Sequence, residues 1–257
     1  MSLTKLALKI AAPVPKPDSF QRYLFVGPHP DDIEVGAGAS VAALSAAGKD
    51  ICFLICTDGR YGDSMAPAGI TREALIEMRK EEALRSAKDL GVTDVRFLML
   101  SDGGFYTEEE LKRGIAGVIG DFQPDILFAP DPFVSSESHP DHLNVGRAVQ
   151  ALSVNAGNPG VMEQLGASPA PVQAVAFYMT AKPNAYINTT GFLERQCDAI
   201  FRNHISQYPE GSKEAGLIRL YLKLRAADFG IRTFHRSAEG FRVLGSIHMH
   251  CLPEAGK

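Results

Sequence analysis

Residues 23–41 read Tyr23-Leu24-Phe25-Val26-Gly27-Pro28-His29-Pro30-Asp31-Asp32-Ile33-Glu34-Val35-Gly36-Ala37-Gly38-Ala39-Ser40-Val41. The aromatic and branched run 23–26 favours a strand, Gly27 ends it, and the Ala-, Val- and Leu-rich run 33–47 favours a helix. Strand, tight loop and helix form the opening unit of an α/β fold. Two prolines stiffen the loop. Fixed φ at Pro28 and Pro30 lowers the entropy cost of holding His29, Asp31 and Asp32 in one arrangement. Gly36-Ala37-Gly38 invites a dinucleotide-binding reading, but GxGxxG requires glycine where this chain has Val41, and that reading is rejected.

The pattern repeats outward from this unit. Residues 51–56 are continuously apolar, as expected of a strand covered on both faces of a parallel sheet. The loop 57–69, with its glycines, Ser64 and Pro67, exceeds a typical strand-to-helix connection and is a candidate substrate loop or lid. A helix is expected from near Thr71 to Leu90, with Gly91 in the left-handed position after it. Residues 95–100 supply a third strand, and Thr107 with Glu110 forms a capping-box pattern for a helix reaching about Phe122. Pro124 breaks that helix, 125–129 is a fourth strand, and the loop 130–138 delivers His139 to another helix. Residues 155–171, rich in Gly and Pro, read as a surface connection with room for a helical turn. A strand over 172–179, helices over 191–203 and 213–229, and a sheet-ending strand over 241–244 follow. Alternating strands and helices imply a doubly wound, Rossmann-like α/β fold, a mostly parallel sheet with helices on both faces. One domain over 21–257 is expected, after an extended lead-in over 1–20 marked by Pro13, Pro15 and Pro17. In such a fold ligands bind at the carboxyl ends of strands, and His29, Asp58, Asp102 and His139 all follow predicted strands.

The loop residues carry a chemical pattern. His29 and Asp32 can converge on a metal ion, and adjacent Asp31 and Asp32 should point apart, leaving one carboxylate free as a base. A catalytic zinc usually has three protein ligands and a position for water, so a third ligand must come from elsewhere. His139 and His142 lie three apart at a helix start and share one face of its first turn, where one can ligate and one can face the substrate.

His29-Pro30-Asp31-Asp32 followed by a helix, and His139-Pro140-Asp141-His142 much later, resembles the PIG-L/LmbE-like family of zinc-dependent N-deacetylases. Thr57-Asp58-Gly59, Arg79 with Glu82 ahead of Leu90-Gly91-Val92, Asp102-Gly103, Ser206-Gln207 and Ala238-Glu239-Gly240-Phe241 extend the likeness over most of the chain. By position, the resemblance makes His29, Asp32 and His142 the ligands of Zn2+, with Fe2+ or another divalent metal as alternatives. It makes Asp31 the general base, His139 the residue that stabilises the transition state, and Asp141 the partner that orients His139 as imidazolium. The implied reaction removes an acetyl group from an N-acetylated amino sugar of the N-acetylglucosamine type, or its conjugate. Asp31 takes a proton from metal-activated water, the hydroxide attacks the acetyl carbonyl, and either Asp31 or His139 protonates the leaving amine. Arg60, Asp102 and Arg79 are candidates for hydrogen bonds to sugar hydroxyls. Many family members carry an acidic residue where this chain has Arg60, which leaves the sugar itself open. The resemblance also implies a homo-oligomer.

Other readings fit parts of the same pattern. Two histidines and a carboxylate also describe non-haem iron oxygenases, which gain little from a spare aspartate beside a ligand. An amidase for another small N-acyl compound is a further alternative, as is a non-catalytic sugar-binding protein with the same metal site, though the intact set of catalytic residues opposes the latter. Lys and Arg total 26 against 30 Asp and Glu, a formal charge of -4, so no basic excess indicates nucleic acid or an anionic membrane as partner. Lys5 and Lys9 interrupt the first apolar residues and no long apolar span follows, so no membrane insertion and a cytoplasmic location are expected. Cys52, Cys56, Cys197 and Cys251 show no CxxC spacing and read as reduced thiols, the first two on one strand face. His204, His235 and the pair His248 and His250 read as structural or solvated.

Overall fold

The computed structural model describes residues 3, 7 and 10–249. Among these the chain runs β1 (Arg22–Gly27), α1 (Asp32–Ala46), β2 (Asp50–Thr57), α2 (Arg72–Leu90), β3 (Asp94–Leu100), α3 (Glu108–Phe122) and β4 (Ile126–Pro130). It continues with α4 (Pro140–Asn155), α5 (Pro159–Gln164), β5 (Ala174–Tyr178), β6 (Ala185–Asn188), α6 (Leu193–Asn203), α7 (Lys213–Thr233) and β7 (Ala238–Gly245), then a short 3-10 turn, Ser246–Met249.

Successive side chains of the central strands enter opposite cores, because both sheet faces are covered. Leu24 and Val26 of β1 pack with Cys52, Leu54, Cys56 and Leu127 beneath α3 and α4. Tyr23 and Phe25 pack with Phe53, Phe128, Ala37, Val41, Ala87 and Phe241 beneath α1 and α2. Double coverage explains why β1, β2 and β4 are apolar without alternation. Cys52 and Cys56 share one face, as their spacing requires, and they and Cys197 are buried and free. Cys251 and His250 lie outside the described residues.

The sheet order is β3-β2-β1-β4-β5-β7-β6. From β3 to β5 neighbouring strands are parallel, whereas β7 is antiparallel to both β5 and β6. The chain moves outward from β1 to β3 and then returns to lay β4 on the other side of β1, so the order reverses between β1 and β4. That reversal opens a crevice at their carboxyl ends, the place where α/β sheets bind ligands. Phe25 and Phe128, paired in register with ring centroids 4.3 Å apart, lock the two strands that flank it.

The sequence pattern missed or misplaced several edges. β7 does not end the sheet but lies inside it, and the edge strand is β6, whose Ala-Tyr-Ile-Asn buries only Ile187 fully and so carries almost no periodic signal. Helix α7 runs to Thr233, beyond the expected end at 229, and stops at Phe234 in the left-handed conformation. The connection 155–171 does hold a helical turn, α5, capped by the Asn158 side chain. In the lead-in, Leu3, Ala7, Ile10 and Ala11 are helical, and 13–16 has no regular structure. His248 is structural: its Nδ1 accepts from the Gly245 N–H at 3.0 Å and its Nε2 donates to Ala12 O at 2.9 Å, tying the lead-in to the end of β7.

The glycines of α1 serve packing. A Cβ at Gly36 would stand 2.3 Å from the Tyr178 ring, and one at Gly38 would stand 2.9 Å from Gln196 Cγ. Their absence lets α1 settle on β5 and α6, which accounts for Gly-Ala-Gly without a nucleotide. No helix among the described residues is long and apolar enough to cross a membrane.

Candidate active site

The loops after β1 and β2 are stitched together before any chemistry is considered. Pro28 O accepts from the Thr57 backbone N–H at 2.8 Å and from Thr57 Oγ1 at 2.9 Å. Arg79, buried on α2, donates from Nη1 to Gly59 O at 2.9 Å and from Nη2 to Pro30 O at 3.0 Å. Gly59 has φ +66, and a Cβ there would lie 2.5 Å from Arg79 Nη1, so both backbone conformation and close approach require glycine. Between these anchors Asp31 takes φ 130, a strained value for a residue with a side chain and one that persists only where surroundings enforce it.

This conformation separates the two aspartates. Asp31 occupies the N-cap of α1 yet makes no capping bond with its side chain. Its Oδ1 accepts from Arg79 Nη2 at 3.4 Å and its Oδ2 from the Tyr208 hydroxyl at 3.1 Å. Asp32, the first helical residue, turns the other way. Its Oδ2 accepts from the His29 backbone N–H at 2.8 Å and lies 3.0 Å from His29 Nδ1, while its Oδ1 lies 3.4 Å from His142 Nε2. Burial pushes Asp31 up to about 6, with Arg79 pulling it down and Asp32 pushing it further up. Burial would also raise Asp32, but His142 and His29 hold it well below the usual carboxylate range.

The second motif opens α4 with His139 as N-cap, Pro140 as first residue and Asp141 in the first turn, all favourable at a helix start. Asp141 is fully buried and saturated with donors. Its Oδ1 accepts from Gly104 N–H at 2.8 Å and Tyr106 hydroxyl at 2.7 Å, and its Oδ2 accepts from Gly103 N–H at 2.8 Å. That same Oδ2 lies 3.1 Å from His29 Nε2 but 3.8 Å from His139 Nδ1. Asp141 Oδ2 therefore lies closer to the His29 ring than to the His139 ring. His139 Nδ1 instead accepts from the Asp141 backbone N–H at 3.3 Å. Burial and the nearby His29 hold His139 below its ordinary pKa, with Asp141 pulling the other way.

His29, Asp32 and His142 present ligand atoms within 4.8 Å of one another, a plausible divalent-metal cluster. A second group, His29, Asp102, His139 and Asp141, meets the same distance, but the Asp141 oxygens are already engaged by three donors. The first group fits a cation better for a further reason. Each imidazole turns one nitrogen to Asp32 and gives the other to an outer carboxylate: His29 Nε2 to Asp102 and Asp141, both at 3.1 Å, and His142 Nδ1 to Glu137 at 2.9 Å. Outer carboxylates of this kind fix the tautomer of ligating histidines. Burial would lower both imidazoles, but these contacts outweigh it, and His29 is pushed up to about 12 and His142 to about 9.

A cleft of about 280 Å³ opens over the cluster, lined by His29, Asp31, Asp32, Arg79, His139 and His142, with Tyr61, Asp102 and Gln207 at its sides. All three proposed ligands and Asp31 thus meet at one place. The expected sugar-binding residues divide. Arg79 lines the cleft but is committed to the loops it clamps, and Asp102 is buried, its Oδ1 on His29 and its Oδ2 accepting from Tyr61 N–H at 3.1 Å. Arg60 does not line the cleft, because its guanidinium is folded back on Asp58, with Nε 2.8 Å from Asp58 Oδ2. Three contributors escaped the sequence reading. Tyr208 follows the recognised Ser206-Gln207, Glu137 stands two residues before His139, and His204, read only as structural or solvated, is buried with Nε2 3.1 Å from Glu34 Oε1. Proximity to a motif was the one available signal, and it exists only for the first two.

A family model described as PIG-L, GlcNAc-PI de-N-acetylase, matches residues 24–153. The chain is 35% identical to a diacetylchitobiose deacetylase of Thermococcus kodakarensis, over 98% of this chain and 93% of that protein. It is 32% identical to a 1D-myo-inositol 2-acetamido-2-deoxy-alpha-D-glucopyranoside deacetylase of Kineococcus radiotolerans, over 55% of this chain and 47% of that one. Among solved structures, the N,N′-diacetylchitobiose deacetylase of Pyrococcus horikoshii superposes with a TM-score of 0.86 at 27% identity, covering 98% of this chain and 97% of that chain. The fold alone is shared with the 4-carboxy-2-hydroxymuconate hydratase GalB of Pseudomonas putida, with a TM-score of 0.72 at 18% identity over 87% of this chain and 96% of that chain.

Proposed function

Because the chain belongs to the PIG-L family of GlcNAc-PI de-N-acetylases, we propose that it hydrolyses the acetamide of an N-acetylated amino sugar or its conjugate, with His29, Asp32 and His142 holding Zn2+. The observation that carries this reading is the divergence of the adjacent carboxylates: Asp32 faces the two imidazoles, and Asp31 faces the cleft from its own clamp of Arg79 and Tyr208.

Zinc held by two imidazoles and one carboxylate lowers the pKa of a water to about 7 and polarises a carbonyl oxygen. The remaining steps belong to the chain. Asp31, with its pKa near 6, is ionised at neutral pH and basic enough to take a proton from the attacking water. The water oxygen bonds to the acetyl carbon. His139 lines the cleft with Nδ1 occupied by the Asp141 N–H, so its neutral form carries the proton on Nε2 and offers it to the developing oxyanion. As the carbon–nitrogen bond breaks, Asp31 returns its proton to the amine, and acetate leaves.

The cleft is open above the cluster, so a saccharide that places its acetamido group there can extend outward. Tyr61 and the exposed Phe105, ring centroids 5.9 Å apart, stand beside Gly103 at the edge of the cleft where that extension would lie. Together with the diacetylchitobiose deacetylases among its relatives, this supports N,N′-diacetylchitobiose as the first compound to test.

The test is acetate release from a panel of N-acetylglucosamine compounds by zinc-loaded protein beside Asp31→Asn. Release by the first and not the second is the expected result. Full turnover by Asp31→Asn would defeat the base assignment, and silence of the zinc-loaded protein across the panel would defeat the amino-sugar reading.

A further inference from the structure

The loop between β4 and α4 carries two acids, and they face different ways. Asp131 is turned into the sheet, where it accepts from Thr180 Oγ1 at 2.6 Å and pairs with Arg242 Nη1 at 3.3 Å. Glu137 is turned to the histidines. Its Oε1 accepts the His139 backbone N–H at 2.8 Å, and its Oε2 lies 2.9 Å from His142 Nδ1. Its own N–H donates to Val134 O at 3.0 Å, so a turn holds the residue in place. One carboxylate therefore grips the main chain of the first histidine of the motif and the ring of the second.

The ring contact has a chemical consequence. A neutral imidazole carries one proton, and a carboxylate at Nδ1 keeps that proton on Nδ1. Nε2 is then left with its lone pair, and it is Nε2 that lies on the Asp32 side, 3.4 Å from Oδ1. Without Glu137 the ring could place its proton on either nitrogen and rotate away from Asp32.

Resting on the reading of His142 as a metal ligand, we infer that Glu137 is a positioning residue: it holds His142 in the tautomer and orientation that present Nε2 to the metal, and so sets metal affinity without ligating. A second possibility is that Glu137 only secures the start of α4 through the His139 N–H. The two roles have different readouts, since a cap acts on the metal-free fold and a tautomer lock acts on metal binding.

Zn2+ affinity is measured by chelator competition on wild type, Glu137→Ala and Glu137→Gln, alongside thermal unfolding of the metal-free proteins. Glu137→Ala is expected to bind Zn2+ about 10–100-fold more weakly, the range found for lost outer partners of ligating histidines. Glu137→Gln keeps an oxygen for Nδ1–H and is expected to recover part of that loss. Affinity within twofold of wild type in Glu137→Ala, with a lowered metal-free Tm, would overturn the proposal in favour of a cap. A glutamine variant as weak as alanine would overturn the tautomer role. If Glu137→Ala does not fold, nitrogen-15 spectra of histidine-labelled, zinc-loaded wild type decide: a proton on Nδ1 of His142 supports the proposal and a proton on Nε2 overturns it. A wild type that binds no Zn2+ would remove the ligand reading and this proposal with it, whereas equal binding by wild type and Glu137→Ala would remove only the proposal.

Discussion

The hydroxyl of Tyr208 donates to Oδ2 of Asp31 at 3.1 Å, although 177 residues of chain separate them. The contact defines the proposed base more sharply than its motif does. Arg79 holds the other oxygen, Pro30 O is tied to the same guanidinium, and the backbone at Asp31 is strained. A carboxylate so held has few orientations to sample, which is what a base beside a reacting water requires.

Replacing Tyr208 by Phe should therefore remove one hydrogen bond while keeping the ring, which packs edge-on against Phe201 with centroids 5.7 Å apart. Hydrogen bonds to a charged group contribute about 1.5–3 kcal/mol, so kcat/KM is expected to fall by about tenfold or more. The acid limb of the pH profile should move to higher pH, because the lost donor favoured the ionised carboxylate. An unmoved limb would show that the contact does not reach the base.

The wild-type pH dependence follows from the same group. Asp31 must be ionised to accept a proton, and burial raises its pKa to about 6. Activity is thus present above about pH 6 and lost as pH falls through that value, and a cation bound beside it shifts the limb lower. Arg79→Met removes a positive charge that favours the ionised form, so its limb should lie above that of wild type. Rate measurements between about pH 4.5 and 8 on both proteins decide the sign.

Asp32→Ala and His142→Ala should lose bound metal, whereas Asp31→Asn should retain it and lose about 10²–10⁴-fold in turnover, the usual contribution of a general base. Metal content by elemental analysis and acetate release, measured on the same preparations, separate the two classes. Metal loss in Asp31→Asn would place that residue among the ligands.

Asp141→Asn should be destabilising as well as damaging to the site. The aspartate accepts from Gly103, Gly104 and Tyr106 and faces His29 Nε2, and an amide group would turn a donor toward one of these donors. An unsatisfied buried polar group costs about 1–3 kcal/mol, visible as a lowered Tm of the metal-free protein. Weaker metal binding should accompany it through His29. A change in His139 behaviour alone, with Tm intact, would restore the pairing of Asp141 with His139 that the motif suggested.

Much of this architecture follows from local rules. Unbroken apolar runs specify doubly covered strands, the Thr107 and Glu110 box starts α3 as its pattern requires, and Gly91 ends α2 in the left-handed conformation. β6 was not legible, because a four-residue edge strand with one fully buried side chain has no period to detect.

The sequence by itself determined the alternation of strands and helices from β1 to β5 and the two loops that carry the His-Pro-Asp motifs, since strand period, helix capping and proline stiffness act within a few residues. Tertiary structure alone decided which partner each polar side chain took. Asp141 turned to His29, Arg60 folded onto Asp58, and Tyr208 and Glu137 came to support Asp31 and His142. A buried carboxylate or imidazole binds whichever donor or acceptor packing brings within about 3 Å, and that choice is made by the crossing of loops at the switch point between β1 and β4, far from the residue in sequence.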